Sequence, residues 1–432
     1  MSPISRPAVA LPEPLRASEI PSFTNYSVVV RLPDIARRVL NENHFPTKAA
    51  ADIEALIAEI PEGKIRQVAA PLARDSAQWA GYIQPYSGMN WLEVPWFFAE
   101  EYFYLRILEA TGYFHPGDGQ GKDPYAGQKH LGLVSSRDAI HSLAEHTAAV
   151  GCDSLDGWRE ALARLLLADL WGNQNDLSMW PVQKTGSEKE LTGGKAGHPS
   201  GAETSRQDGS LLENLHAARK NILSDDLPDA LDYICRLSGS SARVDMLLDN
   251  AGYELVCDLA LADFLLSSRR IAQVTVHAKS HPVFVSDVIE KDFHGTLDFL
   301  VFNGNHASQT MAIRLREHLV TGRLILRCHP FWSSPLAAWD MPEDLYAEIG
   351  QARLLIVKGD ANYRRLLGDR HWPVSLPFSR AVDYLPCPVL ALRTLKSEIA
   401  VGIQPNQIPA DDPQWMINGR WGVVQFALPR SA

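Results

Sequence analysis

The stretch Arg243 to Leu266, RVDMLLDNAGYELVCDLALADFLL, constrains the fold more than any other part of the chain. Its opening, Val244 to Leu248, is a short run, apolar except for Asp245, of the kind that forms a strand buried in a parallel sheet. Asp249 and Asn250 end the run, and Ala251 and Gly252 allow a tight turn. Glu254, Leu255, Asp258, Leu259, Ala262, Phe264 and Leu265 then follow at the spacing of a helix lying on a sheet. In an open α/β sheet, ligands sit beyond the carboxyl ends of the strands, which is where Asp249 and Asn250 fall. Turn formation or helix capping would account for one such pair alone. Other strand ends in the same half of the chain also carry polar clusters, and that shifts the balance toward a site.

Gln273 to Lys279 (QVTVHAK) predicts a second strand, followed by VFVSDV, whose Asp287 precedes a helical run to Phe302. Arg323 to Arg327 (RLILR) predicts a third strand, and a helix from about Pro342 to Gln351 precedes the fourth, Arg353 to Val357 (RLLIV). The fourth runs into KGDANYRRLLGD, and the fifth, Pro388 to Leu392 (PVLAL), into RTLK. Strands alternating with helices predict an α/β fold, a three-layer α/β/α sandwich around a mostly parallel, doubly wound sheet with right-handed crossovers.

The first half is predominantly helical. TKAAADIEALIAEI, with Thr47 as N-cap, the stretch Trp91 to Ala110 with Pro95 in its first turn, Ile140 to Val150 and Trp158 to Trp171 carry apolar residues at helical spacing. The aromatic residues of Trp91 to Ala110 are expected in a core. LWGNQNDLSMW interrupts the pattern with turn formers, and its Asn173 and Asp176 are weaker site candidates. The polar, glycine-rich run from about Gln183 to Gly209 reads as a loop or linker. The expected organisation is a mainly helical N-terminal domain, 1–182, a polar flexible loop or linker, 183–209, and an α/β/α domain, 210–432.

The chain of 432 residues is too long for one compact core, and its net charge of −10 argues against coating nucleic acid or an anionic membrane. The five cysteines form no CxxC pair, so neither a zinc site nor a disulfide framework is indicated and a reducing compartment is expected. The N-terminus lacks the apolar core of a secretory signal, and no stretch reaches the roughly eighteen unbroken apolar residues of a membrane span. The expectation is a cytoplasmic monomer with no nucleic-acid or membrane partner.

Asp249, Asn250 and Asp287 offer three hard oxygen ligands from two neighbouring connections, a set suited to Mg²⁺ or Mn²⁺ with remaining positions left to water and substrate. His277, His281, His294 and His329 match no zinc signature and are expected to pack or face solvent. Lys358-Gly359-Asp360-Ala361-Asn362-Tyr363-Arg364 joins a strand end to a helix N-terminus with Lys358, Asn362 and Arg364 as donors, which makes an anion site. A turn with a solvated helix face explains the same residues as well. Arg393 and Lys396 bring two more cations to that rim. A divalent metal beside a basic pocket is what phosphoryl transfer to water needs. No GxxxxGK[ST] motif is present, and after the first strand the chain reads DNAGYE, which weighs against nucleoside triphosphates, NAD and the common S-adenosylmethionine site.

DNAGYELVCDLALADFLL, SDV, KGDANYRRLLGD and RTLK resemble the motifs of the damage-control phosphatases, metal-dependent enzymes acting on phosphometabolites. The RTxK tetrapeptide resembles a hallmark of the sugar-phosphate branch, and WFFAEEYFYLRI and LWGNQNDLS resemble segments of its helical N-terminal part. The resemblance implies that Asp249, Asn250 and Asp287 hold the catalytic metal, Mn²⁺ first, with Co²⁺, Ni²⁺ or Mg²⁺ behind it. It implies substrate contacts from Asp360, Ala361, Asn362, Tyr363 and Arg364, with Lys396 meeting the phosphate of fructose 1-phosphate, fructose 6-phosphate or a related small phosphate ester. Asp249 and Asn250 would face substrate as well as metal, and Lys358 and Arg393 would add cations. From their place in the first turns of the helix, Glu254 and Asp258 would orient the metal ligands, although stabilising the helix N-terminus explains Glu254 equally well. Ala361 stands where many relatives carry a larger apolar residue. Whether Asp249 holds the metal or attacks phosphorus itself stays open. The alternatives are a protein carboxyl (glutamate) methyltransferase using S-adenosylmethionine and a non-catalytic sugar-phosphate-binding protein.

Overall fold

The computed structural model describes residues 6–68, 76–149, 154–172, 219–237 and 241–430; Asn173, Asp176 and the segment 183–209 lie outside them. Seven strands form one sheet: β1 Ile222–Asp225, β2 Arg243–Leu247, β3 Gln273–Ala278, β4 Leu324–Cys328, β5 Leu354–Lys358, β6 Val389–Thr394 and β7 Gly422–Ala427. Their order is β1-β7-β6-β5-β2-β3-β4. Strands β2 to β6 are mutually parallel, β7 runs antiparallel to β6, and β1 pairs parallel with β7. All five expected strands form, and β1 and β7 extend the sheet beyond them.

From β2 the chain steps outward to β3 and β4, then returns to the other side of β2 to build β5 and β6. The sheet therefore reverses its winding between β2 and β5. At such a switch point the two connections diverge to opposite faces and leave a crevice. Asp249 leaves β2 on one lip and Lys358-Gly359-Asp360 leaves β5 on the other.

The central strands β2, β3, β5 and β6 are buried on both faces, and successive residues serve different cores. Val244, Met246, Leu354 and Ile356 join one apolar cluster, and Leu247, Leu355 and Val357 join the other. Helix Trp96–Ala110 packs into the second cluster, whereas helices Arg137–Ala149 and Leu155–Leu170 feed the first. Helical segments from before residue 182 thus complete both outer layers of the sandwich. Helix Tyr253–Ser267 is consequently buried from Glu254 to Leu266, so its acidic residues need internal partners. Asp263 finds Arg314 at 2.5 Å.

Two local features near the N-terminus have covalent causes. Pro33 has no N–H to return to the preceding turn, and the chain widens into a π-turn over Ser27–Arg31 before helix Leu32–Glu42. Helix Thr47–Glu59 is capped one residue earlier than expected, at Pro46, with Thr47 as its first helical residue. Among the described residues no helix is long and apolar enough to cross a membrane.

Candidate active site

Backbone pairing assembles the acidic side of the site. After β3 the chain folds back beside the end of β2, with Asn250 bridged antiparallel to Asp287. The Ala251 N–H donates to the Ser286 carbonyl at 2.7 Å, and the Val288 N–H to the Asp249 carbonyl at 2.9 Å. The turn that reaches this register holds Phe284 and Val285 at φ of 49° and 66°, a conformation costly for side chains of this size. The Phe97 and Tyr104 rings, 5.8 and 5.2 Å from the Phe284 ring, brace it. Aromatic residues of the N-terminal half therefore shape the loop that carries Asp287.

The β5 side approaches equally closely. Gly359 sits at φ 77°, and a Cβ there would lie 1.8 Å from Oδ2 of Asp249. Only glycine permits this contact. Gly359→Ala is expected to cost roughly 1–3 kcal/mol from backbone strain alone and to push Asp249 aside. A thermal midpoint equal to that of the parent would show that the two connections separate freely.

Between these lips lies a cavity of about 450 Å³ lined by Asp249, Asn250, Glu254, Asp287, Asp360, Ala361, Arg364 and Lys396. Arg31, Arg38, Trp96, Glu100 and Tyr104 of the N-terminal helices complete it. Asp249 is 4% exposed; its Oδ2 accepts from Asn250 Nδ2 at 2.7 Å, and its Oδ1 has no hydrogen-bond partner among the described residues. Burial, then the Asp287 and Glu254 carboxylates, push the Asp249 carboxyl well above the usual range. Burial likewise lifts Asp287 to about 6 against the pull of Lys279, whose Nζ lies 3.3 Å from it.

Several predicted contacts stand behind the cavity wall and do not line it. Lys358 Nζ is enclosed by Asp169 at 3.0 Å, Glu254 at 3.0 Å and Asp258 at 3.3 Å. Burial raises the carboxyl pKa of both Asp169 and Asp258 above its ordinary value, against the pull of the Lys358 ammonium between them. Glu254 also accepts from Asn250 Nδ2 at 2.9 Å, which ties this cage to the cavity. Asn362 donates to the carbonyls of Leu248 and Lys358, both at 2.9 Å, and accepts from Lys279 at 2.7 Å. Tyr363 turns away to Gln425 at 2.8 Å.

The RTLK turn is organised by Asp360. Its Oδ1 accepts from Arg393 Nε at 2.8 Å, Ser397 Oγ at 3.0 Å and the Lys396 N–H at 3.1 Å. Burial works to raise the Asp360 carboxyl, but Arg393 and Arg364 hold it below its ordinary value. Arg393 spends its other donors on Ile399 and Ser397 and acts as the strut of the turn. Lys396 reaches the cavity, and its ammonium has no hydrogen bond or ion pair among the described residues. Arg364 also reaches it, but two bonds to Asp369 (2.8 and 3.0 Å) and one to Glu100 (2.5 Å) already answer its charge.

Sequence reading missed Arg31, Arg38, Lys279 and Asp169. Arg31, Ile35 and Arg38 follow at i, i+4 and i+7, a helix face that signals Arg31 and Arg38 together. Asp169 stood out only as an acid on an otherwise apolar helix face.

The donor set fits a hard divalent cation. Asp249, Asn250 and Asp287 converge, and Asp249 Oδ1 is buried without a partner. Among the described residues no group of three or more His, Cys, Asp or Glu could hold a metal. Two carboxylates and an amide would leave the other positions of a cation to water and substrate.

A family model described as the damage-control phosphatase ARMT1-like domain matches residues 27–409. The chain belongs to this family. Damage-control phosphatase ARMT1 of Mus musculus is 34% identical over 356 residues, covering 79% of this chain and 76% of the mouse protein. The Danio rerio and Homo sapiens proteins of the same name are each 30% identical over 459 residues, covering 97% of this chain and 97% and 99% of their own. A crystal structure of a DUF89 family protein from Pyrococcus horikoshii aligns at 13% identity and a TM-score of 0.44, over 94% of this chain and 98% of that one; at that distance it decides nothing here. As an ARMT1-like damage-control phosphatase, the chain is a phosphatase of the metabolite-repair class.

Proposed function

We propose that the chain hydrolyses sugar phosphates, fructose 1-phosphate and fructose 6-phosphate foremost, with the help of a divalent metal at Asp249, Asn250 and Asp287. The observation that carries this reading is the buried, unpartnered Oδ1 of Asp249 in the same cavity as Lys396, Arg31 and Arg38, cations without carboxylate partners among the described residues. A bound divalent cation would polarise a phosphoryl oxygen and acidify water. The chain's own groups do the rest. Lys396, Arg31 and Arg38 neutralise the phosphate, and the N-terminus of helix Gly359–Leu367 adds its N–H groups and dipole. Glu254 and the Lys358 cage fix the Asn250 amide, and Lys279 stands beside Asp287. Trp96, Tyr104 and Phe284 form an aromatic wall of the pocket. Mn²⁺ is the proposed metal ahead of Co²⁺, Ni²⁺ and Mg²⁺, the partner is a small phosphate ester, and the protein is placed in the cytoplasm as a monomer.

The test is phosphate release from a panel of esters by protein stripped with chelator and refilled with each metal, alongside calorimetric titration of Mn²⁺. Metal-dependent release from sugar phosphates, and one Mn²⁺ site per chain, are expected. Release unaffected by chelator would overturn the metal assignment. Preference for other esters would overturn the substrate class.

Lys396→Ala should remove one charge-assisted hydrogen bond, worth roughly 1.5–3 kcal/mol, and lower kcat/KM roughly ten- to a hundredfold while Mn²⁺ binding stays unchanged. Equal kcat/KM in parent and variant would take Lys396 out of the phosphate site.

A further inference from the structure

A second cavity, about 550 Å³, lies on another face of helix Trp96–Ala110: Trp96, Glu100 and Tyr104 face the first, while Phe97 and Phe98 line the second. Helix Gly359–Leu367 separates them in the same way, with Asp360, Ala361 and Arg364 on the first cavity and Arg365, Gly368, Asp369 and Arg370 on the second. An N-terminal strap roofs it, the Leu15 N–H donating to the Asp369 carbonyl at 2.9 Å and the His371 N–H to the Glu13 carbonyl at 3.0 Å. The phosphatase reading uses none of this space.

Its charges are not balanced. Arg6 pairs with Asp340 at 3.4 Å, Arg16 with Glu13 at 3.7 Å, Arg365 with Glu101 at 2.8 Å, and Asp369 with Arg364 at 2.8 Å. Arg370 is left with the Pro12 carbonyl at 2.5 Å and no close ion pair among the described residues, the Glu13 and Asp340 carboxylates acting on it only from a distance, and its Nε is buried without a hydrogen-bond partner. A guanidinium in this position, facing a cavity, is under-satisfied. Burial, then repulsion from Arg6, weaken its hold on its own proton. The walls beside it are flat and apolar: Tyr86 lies 4.4 Å from Phe98, and Trp339 stands beneath Arg370 at 5.9 Å. An anionic group on a planar body meets both needs, the charge on Arg370 and the ring against Tyr86, Phe98 and Trp339.

We propose that this second cavity binds a small aromatic anion, whose carboxylate or phosphate group is held by Arg370. Asp369 joins it to the first cavity, since its carboxylate holds Arg364.

The experiment titrates the full chain with benzoate, phenylphosphonate, which cannot be hydrolysed, and neutral benzamide, and the Asp249→Asn variant separates the second cavity from the first. At least one anion is expected to bind one-to-one, tenfold or more tighter than benzamide, and which one binds names the carboxylate or phosphate source. Arg370→Met should weaken it at least tenfold, and Asp249→Asn should leave it unchanged. Tyr86→Leu, which removes a wall and no charge, should also weaken it and decides the matter if Arg370→Met fails to fold. Anions that bind no better than benzamide, or a loss that follows Asp249→Asn and spares the cavity variants, would overturn the proposal.

Discussion

Asp249→Asn is expected to lower phosphate release by roughly a thousandfold or more, the several kcal/mol of transition-state charge stabilisation that a well-held cation supplies. It should also weaken Mn²⁺ binding. The same change should leave the metal-free protein as stable as the parent or more so. Asp249 is a buried carboxylate crowded by Asp287 and Glu254, with one oxygen unpartnered, so the folded chain holds it at a cost that the isosteric amide removes. Loss of activity together with an unchanged or raised thermal midpoint is the signature of a residue kept for function at the expense of stability. A fall in midpoint matching the fall in activity would instead make Asp249 a packing residue. Full activity in the variant would remove it from the chemistry altogether.

Lys358→Met should cost roughly 3–5 kcal/mol of stability, because it leaves Asp169, Glu254 and Asp258 facing one another without their cation. The pH dependence has a definite sign. Burial already raises the carboxyl pKa of Asp169 and Asp258 above its ordinary value, and removing Lys358 raises it further. A carboxyl whose folded pKa exceeds its unfolded one binds more protons when folded, so stability is retained at low pH and lost as pH rises through the folded value. The deficit of the variant relative to the parent should therefore be smaller at pH 5.5 than at pH 8, read as the difference in thermal midpoint. A deficit independent of pH would mean that the cage is held by packing. Such a result would also weaken the link from Glu254 to Asn250, which would then need no cage behind it.

The alternation of strand and helix was legible because a strand buried on both faces is rich in apolar residues: β5 and β6 are apolar up to their last residues, and β2 and β3 keep Val244, Met246, Leu247, Val274 and Val276 between their polar positions. β1 and β7 escaped for different reasons. β1 is only four residues, ILSD, and β7 returns antiparallel after a long segment whose one helical piece is the 3₁₀ turn Pro405–Gln407. The strand ends were legible for the same reason as the strands, and Asp249, Asn250, Asp287, Asp360, Ala361, Arg364 and Lys396 do line one cavity. Lys358, Asn362, Tyr363 and Arg393 share their motifs yet point elsewhere.

By itself the sequence determined the five central strands, the helices that alternate with them and the polar residues at their carboxyl ends, because burial pattern and turn chemistry are local properties of the chain. Only the tertiary structure decided which of those residues face the cavity. Lys358 is drawn inward by Asp169, an acid from a helix far earlier in the chain, and Arg393 is drawn onto Asp360 from the neighbouring strand. The Arg31 and Arg38 face and the Phe97 and Tyr104 braces arrive from the N-terminal helices. Direction at a strand–helix junction is set by the charge or ring that packs against it, and those partners come from parts of the chain that meet only after folding.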